Sequence, residues 1–216
     1  MTVKKYITVT AQGALYAVQQ TTTNQAVRSV LLKLLSLDKS PELSDDLICQ
    51  LTGFETDQIK LAKAIFYQLE IMHFIQSETK EVAVPLINFE NDLPSLLSMF
   101  SSLDKALLSD QLGFLLGNVG FPEEELNQIA AMSTRLSSLY QDSYDTVSKI
   151  VNGHSHIGVG ITNYQGMTQL GIYAMDVSGN KFTLTIAGIP FLNQKAFRDL
   201  IWVLVYRYGN VRFKKN

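Results

Sequence analysis

The chain has 216 residues, of which 46% are apolar and 18% charged, and its 18 basic and 20 acidic side chains leave a net charge of −2. This length allows one large domain or two small ones, and the near-neutral charge excludes a global basic field that would attract nucleic acid or anionic lipid. Apolar runs such as 202–205 are too short to cross a bilayer, and one cysteine, Cys49, allows no internal disulfide, so we expect a cytoplasmic protein.

The first half of the chain predicts three helices. Thr23 and Asn24 are N-cap residue types ahead of a helix whose apolar positions recur at helical spacing. Ser44 is placed to cap a second, short helix that Gly53 closes, and Thr56 a third.

A hairpin is predicted after the third helix, with strands at 71–75 and 82–84 joined by a polar turn at 76–80. Three helices followed by a hairpin are typical of a winged helix-turn-helix. We therefore expect a winged-helix-like domain over 1–88. The segment 6–20 predicts a further strand or hairpin whose place in this domain stays open.

The second half has a different pattern, after a linker at 85–94 that is rich in Asn, Asp and Pro. A short amphipathic helix is predicted at 93–103. The segment 103–142 then predicts two strands joined by the tight turn Ser109–Gly113, followed by a long helix with Pro122 and three glutamates at its start.

Three more strands are predicted at 157–163, 168–176 and 181–188, and a final helix is predicted with Asn193 as its cap. The order of elements is therefore α-β-β-α-β-β-β-α. This order predicts a layered arrangement of one sheet and several helices.

This order, with the Ser109-Asp110-Gln111-Leu112-Gly113 turn and the glutamate-led helix 123–141, resembles the roadblock family of dynein light chains and bacterial GTPase partners. The resemblance covers roughly residues 93–209. It implies a profilin-like α/β domain over 93–212 with a five-stranded sheet, which forms homodimers and scaffolds or regulates a small Ras-like GTPase. The complete chain is then an α+β protein. The N-terminal half and the polar segment 142–155 depart from the simplest members of the family.

The long helix suggests how such a dimer is held. Its inward stripe is predicted to contain Leu126, Ile129, Ala130, Ser133, Leu136, Ser137 and Tyr140. The small and polar side chains on its other side would let a second helix approach to about 8–10 Å. The residues predicted at the dimer interface are Ala131, Thr134, Arg135, Ser138 and Gln141. The alternative is a solvated helix face on a monomer.

No residue pattern indicates catalysis, a cofactor or a metal. His154 and His156 have a spacing that a strand could use for a metal, but the nearby sequence offers no third His or Cys ligand. Cys49 falls on an apolar helical stripe and is predicted to be a core residue. The carboxylates 123–125 are explained by the positive end of the helix dipole. The chain is therefore predicted to be a non-enzymatic protein.

DNA binding is the main alternative function, because winged helices often read the major groove. Residues 1–90 carry eight basic and ten acidic side chains, and the third helix offers only Lys60 and Lys63 on its outside. A duplex-binding face usually supplies several phosphate contacts, so we expect protein contacts instead of nucleic acid. The alternatives left open are a transcriptional regulator that its C-terminal domain dimerises and a sensor with a ligand in its α/β domain.

Overall fold

The computed structural model describes residues 4–19, 24–88, 91–151 and 157–209. Within these ranges the chain divides into two compact units. The first contains 4–18, 24–86 and 193–209, and the second contains 19, 87–88, 91–151 and 157–192. The division near residue 87 lies close to the predicted boundary, whereas the final helix, which was assigned to the second domain, groups with the first unit.

The first unit is mainly helical, with one two-stranded sheet. Its elements in chain order are β1 (Tyr6–Val9), α1 (Ala11–Ala17), α2 (Gln25–Leu35), α3 (Asp45–Thr52), α4 (Ile59–Ile71), β2 (Ile75–Glu78) and, from the end of the chain, the final helix Lys195–Tyr208. The final helix packs against α1 and α2, and its Trp202 donates an indole hydrogen bond to the carbonyl oxygen of Leu37 over 2.9 Å.

The small sheet corrects the predicted hairpin. Strand β2 pairs antiparallel with β1, with Tyr6 opposite Glu78 and Val9 opposite Ile75. Ile71 ends α4, and Ala83 makes only an isolated bridge with Lys39. The predicted strands 71–75 and 82–84 are therefore wrong, because the N-terminal strand takes the place that the second arm of the hairpin was expected to fill. The winged helix is not confirmed.

Helix boundaries follow the predicted caps in two of three cases. The side chains of Asn24 and Ser44 accept hydrogen bonds from the third residue of α2 and of α3, respectively, and Gly53 ends α3 with a φ of 81°. Thr56 does not cap α4, since a 3₁₀ turn at Thr56–Gln58 comes first and no side-chain cap bond is made. Thr23 lies outside the described residues.

Helices α2 and α3 are joined by a charged hydrogen bond. The Lys33 ammonium donates to the carbonyl oxygen of Leu51 over 2.7 Å, in the last turn of α3 where carbonyls lack intrahelical partners. Partial burial lowers the pKa of Lys33 from its usual value. The ammonium remains stabilising here because it lies at the negative end of a helix dipole.

Lys33→Met is therefore expected to destabilise the first unit by about 1 kcal/mol, through loss of this bond. In urea unfolding, the midpoint should fall while the slope stays unchanged. Lys60→Met, at an exposed position on α4, is the control and should stay within about 0.5 kcal/mol of the wild type. Equal midpoints for the two variants would contradict a structural role for the Lys33 bond.

The second unit contains one antiparallel sheet of five strands with helices packed on it. Its elements are α5 (Leu93–Ser98), β3 (Ala106–Asp110), β4 (Leu115–Val119), α6 (Leu126–Asp142), α7 (Tyr144–Ile150), β5 (Gly158–Thr162), β6 (Thr168–Val177) and β7 (Asn180–Ala187). The strand order is β4-β3-β7-β6-β5. The predicted five-stranded sheet, and with it a mixed α and β protein, is thus confirmed.

Three details of the second half differ from the prediction. Helix α5 ends at Ser98 and not at residue 103, and the polar segment 142–155, for which no element was predicted, contains the helix α7. The final helix, α8 (Lys195–Tyr208), is preceded by Gln194, whose side chain makes no cap bond. The prediction that Asn193 caps this helix was therefore wrong.

Candidate functional surface

The long helix α6 covers one face of the five-stranded sheet. Leu107 and Ser109 of β3 lie opposite Thr185 and Thr183 of β7, and therefore all four share a sheet face. The Ser109 hydroxyl is 3.3 Å from that of Thr134 on α6, which identifies this face as the one beneath the helix.

The inward side of α6 agrees with the predicted stripe. Four of its members are buried and three are half-buried; they are Ala130, Ser133, Ser137 and Tyr140, and Leu126, Ile129 and Leu136. Burial, and to a lesser extent the neighbouring Tyr144, raises the pKa of the Tyr140 phenol, which therefore stays neutral. The small serines let α6 lie close to the hydroxyl-bearing face of the sheet.

The turn between β3 and β4 lies beside α6. The Asp110 carboxylate accepts backbone hydrogen bonds from Leu112 and Phe114, each of 2.9 Å, and Gly113 has a φ of 85°. A side chain at Gly113 would contact Ala131 and Thr134 on the helix. The predicted tight turn is thus held by its own aspartate and packs against α6.

The five predicted interface residues are not equally exposed. Ala131, Arg135 and Ser138 are exposed on the outer side of α6. Thr134 and Gln141 are half-buried, because the helix turns Thr134 toward Ser109 and the β3–β4 turn. A helix wheel places Thr134 near the edge of the outer side, and only the tertiary structure shows that this edge is partly covered.

Apolar side chains that the sequence analysis missed flank these residues. Met132 and Leu139, seven residues apart on one side of α6, are 39% and 62% exposed. Leu112 and Phe114, on the turn at the other side, are 73% and 65% exposed. The spacing of Met132 and Leu139 is visible in the sequence, whereas the position of the turn is not. We call Ala131, Met132, Arg135, Ser138 and Leu139, with Leu112 and Phe114, the α6 surface.

The other candidate sites take up structural positions. Cys49 is buried, as predicted, and its thiol lies 3.6 Å from the carbonyl oxygen of Glu55. Residues Glu123–Glu125 form a 3₁₀ turn ahead of α6, and their side chains are exposed. His154 and His156 lie outside the described residues. Within the described ranges, no group of three or more His, Cys, Asp or Glu side chains is close enough to bind a metal ion.

The exposed face of α4 carries three large apolar side chains beside its two lysines, Lys60 and Lys63. Leu61, Tyr67 and Ile71 are 57%, 65% and 59% exposed. Lys63 is engaged with the Asp45 carboxylate at 2.8 Å. In the part of the chain that the structure describes, no helix combines the length and the apolar character needed to cross a membrane.

Comparisons with known proteins find solved structures that are similar to part of this chain, of which two are described here. No protein-family model and no curated protein matches the chain. A roadblock/LC7 domain from Streptomyces avermitilis is similar over 52% of this chain and 87% of its own length, with 15% identity and a TM-score of 0.33. Myxococcus xanthus MglB is similar over 54% of this chain and 89% of its own length, with 10% identity and a TM-score of 0.31.

Each of these two proteins is similar to about half of this chain, and the first carries the name of the family that the sequence resembles.

Proposed function

We propose that this protein is a cytoplasmic, non-enzymatic adaptor that dimerises through the α6 surface and binds a small Ras-like GTPase. The helical part in this proposal is the first unit, which includes the final helix, and the dimerising part is the second unit, in place of the limits 1–88 and 93–212 that the sequence suggested. The GTPase and the absence of catalysis are implied by the resemblance to the roadblock family. The proposal of a dimer is supported by the exposed α6 surface.

The α6 surface has the composition of a protein contact. Four large apolar side chains are exposed on it, two on the helix and two on the adjacent turn. Large apolar side chains that are exposed together on one side of a domain favour an interaction site. The centre of the surface carries Ala131 and Ser138, which are small enough for a second helix to approach closely.

A two-fold axis across α6 would use this surface on both protomers. In such a contact each residue meets its own equivalent or a near neighbour. Small side chains then lie at the axis, and the apolar ones at the flanks cover each other. Arg135, which is exposed, is placed at the rim, where its charge stays hydrated.

The GTPase is tested by titrating the full chain with small Ras-like GTPases from the same organism, each loaded with GDP or with a non-hydrolysable GTP analogue. We expect one of them to bind with a Kd of about 1 μM, corresponding to about −8.2 kcal/mol. The chain alone, without a GTPase, should hydrolyse no nucleotide. Failure of every GTPase to bind in either nucleotide state would refute the GTPase partner while leaving the dimer untouched.

DNA binding remains the second candidate, because α2, α3 and α4 match the three predicted helices of a winged helix. The exposed face of α4 argues against it, because a duplex-binding face supplies several phosphate contacts. This face offers only Lys60 and Lys63, of which Lys63 is paired with Asp45. Fluorescence anisotropy with mixed duplex DNA at low salt distinguishes the two functions. We expect the DNA titration to show no saturation. Tight binding that weakens steeply with salt would instead favour a DNA-binding transcriptional regulator.

A further inference from the structure

A cavity of about 460 Å³ lies in the first unit, apart from the α6 surface. It is bounded by the start of α1, the outer side of β2 and the start of α8. The polar residues that matter for its chemistry are Thr10, Gln76, Glu78, Asn193, Lys195 and Arg198. Its volume falls within the range of small-molecule sites in proteins, about 300–1,000 Å³.

Arg198 is a buried cation on the wall of this cavity, with 6% of its surface exposed. Its Nε and Nη2 atoms donate to one carboxylate oxygen of Asp199 over 2.9 and 2.7 Å, and its guanidinium lies 5.9 Å from the centre of the Trp202 ring. Its third nitrogen, Nη1, makes no hydrogen bond with any described residue. The guanidinium is thus held rigidly while one amino group remains available to a ligand.

The start of α8 adds positive potential at the same wall. Gln194 provides no side-chain cap to the first turn, and the amide groups of a first turn carry the positive end of the helix dipole. Lys195 is 77% exposed along its side chain and lies 3.8 Å from the second oxygen of Asp199. An anionic group in the cavity would therefore meet two cations that share a single carboxylate.

A negative group also lines the cavity. Glu78 of β2 accepts a hydrogen bond from Gln76 on one oxygen over 2.7 Å and is half-buried. A dianion such as phosphate would meet this carboxylate unfavourably. A ligand that carries a carboxylate and an ammonium group has a partner for each charge, because opposite charges favour each other's ionised forms at short range.

We propose that this cavity binds a small zwitterion of the α-amino acid class, with its carboxylate at Arg198 and Lys195 and its ammonium at Glu78. This site is independent of the α6 surface and of a GTPase partner. It would give the first unit a ligand-sensing role beside the adaptor role of the second unit.

The test is calorimetric titration of the full chain with each of the twenty common L-amino acids, with the matching carboxylic acids that lack the amino group, and with inorganic phosphate. We expect at least one amino acid to saturate with a Kd at or below about 1 mM. Glu78→Gln should weaken the binding of that amino acid at least tenfold and leave the binding of the amine-free acid unchanged. Lys195→Gln should weaken the binding of both.

Glu70→Gln is the matched control, since Glu70 is exposed on α4, away from the cavity, and it should bind as the wild type does. Arg198 is not substituted, because its removal would leave the poorly exposed Asp199 carboxylate with only the longer contact to Lys195 and compromise folding. The proposal is overturned if no amino acid saturates, if phosphate binds more tightly than every amino acid, or if Glu78→Gln binds as the wild type does.

Discussion

Ser138→Arg is expected to convert the dimer into a monomer without unfolding the second unit. Ser138 is exposed at the centre of the α6 surface, one helical turn from the exposed Arg135. In a two-fold contact, the substitution would place one new guanidinium group from each protomer at the axis and fill the space that the serines leave for the helices. We expect self-association to weaken at least about 100-fold, or about 2.7 kcal/mol.

Light scattering behind gel filtration measures this effect directly, and circular dichroism checks that the fold is kept. Ser95→Arg is the matched control, because Ser95 is an exposed serine on the short helix α5 of the same unit. It should leave the molar mass unchanged. An unchanged mass for Ser138→Arg would count against the α6 surface. Thr134→Arg is a poorer test, since Thr134 is half-buried against Ser109 and a loss of folding would be confounded with a loss of contact.

Gly13→Ala is expected to destabilise the first unit strongly, by about 3 kcal/mol. A methyl group at Gly13 would collide with the backbone carbonyl of Phe74, and backbone atoms cannot move aside as a flexible side chain can. The same region is tied together by Thr10, whose amide donates to the Phe74 carbonyl over 2.9 Å and whose hydroxyl donates to that of His73 over 2.7 Å. Separating α1 from Phe74 would break both bonds.

Thermal unfolding followed by circular dichroism should show the first transition lowered by about 10 °C. Gly53→Ala serves as the control, because Gly53 has a positive φ but open space around its Cα, so that only the backbone conformation is strained. Its cost should be about 1 kcal/mol. Equal effects of the two substitutions would mean that the close approach of Gly13 to Phe74 is not maintained in solution.

The hairpins of the second unit could be predicted from the sequence because their information is local, whereas the pairing of β3 with β7, which are far apart in the chain, could not. The β3–β4 and β6–β7 strand pairs are adjacent in the chain and joined by short turns in which Gly113 and Gly179 adopt positive φ. Alternating apolar residues and turn residues indicate such hairpins directly. The helix periodicity likewise predicted the inner side of α6.

The sheet of the first unit could not be predicted in this way. Strands β1 and β2 pair residues such as Val9 and Ile75, which are far apart in the chain. The residue pattern of each strand does not indicate which other strand it pairs with. A local hairpin at 71–84 satisfied the same sequence signals. The wrong prediction therefore arose from choosing a near partner where the fold uses a distant one.

The two candidate sites also differ in how far apart in the chain their residues lie. The outer side of α6 lies within one helix, and three of its five predicted residues are indeed exposed; Thr134 and Gln141 are partly covered. The cavity is formed by three separate segments near residues 10, 76–82 and 193–198. No spacing rule connects them, so only the folded chain brings Glu78 and Arg198 to the same cavity.

Sedimentation velocity of the wild-type chain over a series of micromolar concentrations tests the central claim most directly. The proposed contact between two α6 surfaces predicts a species with twice the 24.1 kDa mass of the chain, which dissociates on dilution and is absent in Ser138→Arg. A single species of 24.1 kDa at every concentration would contradict it.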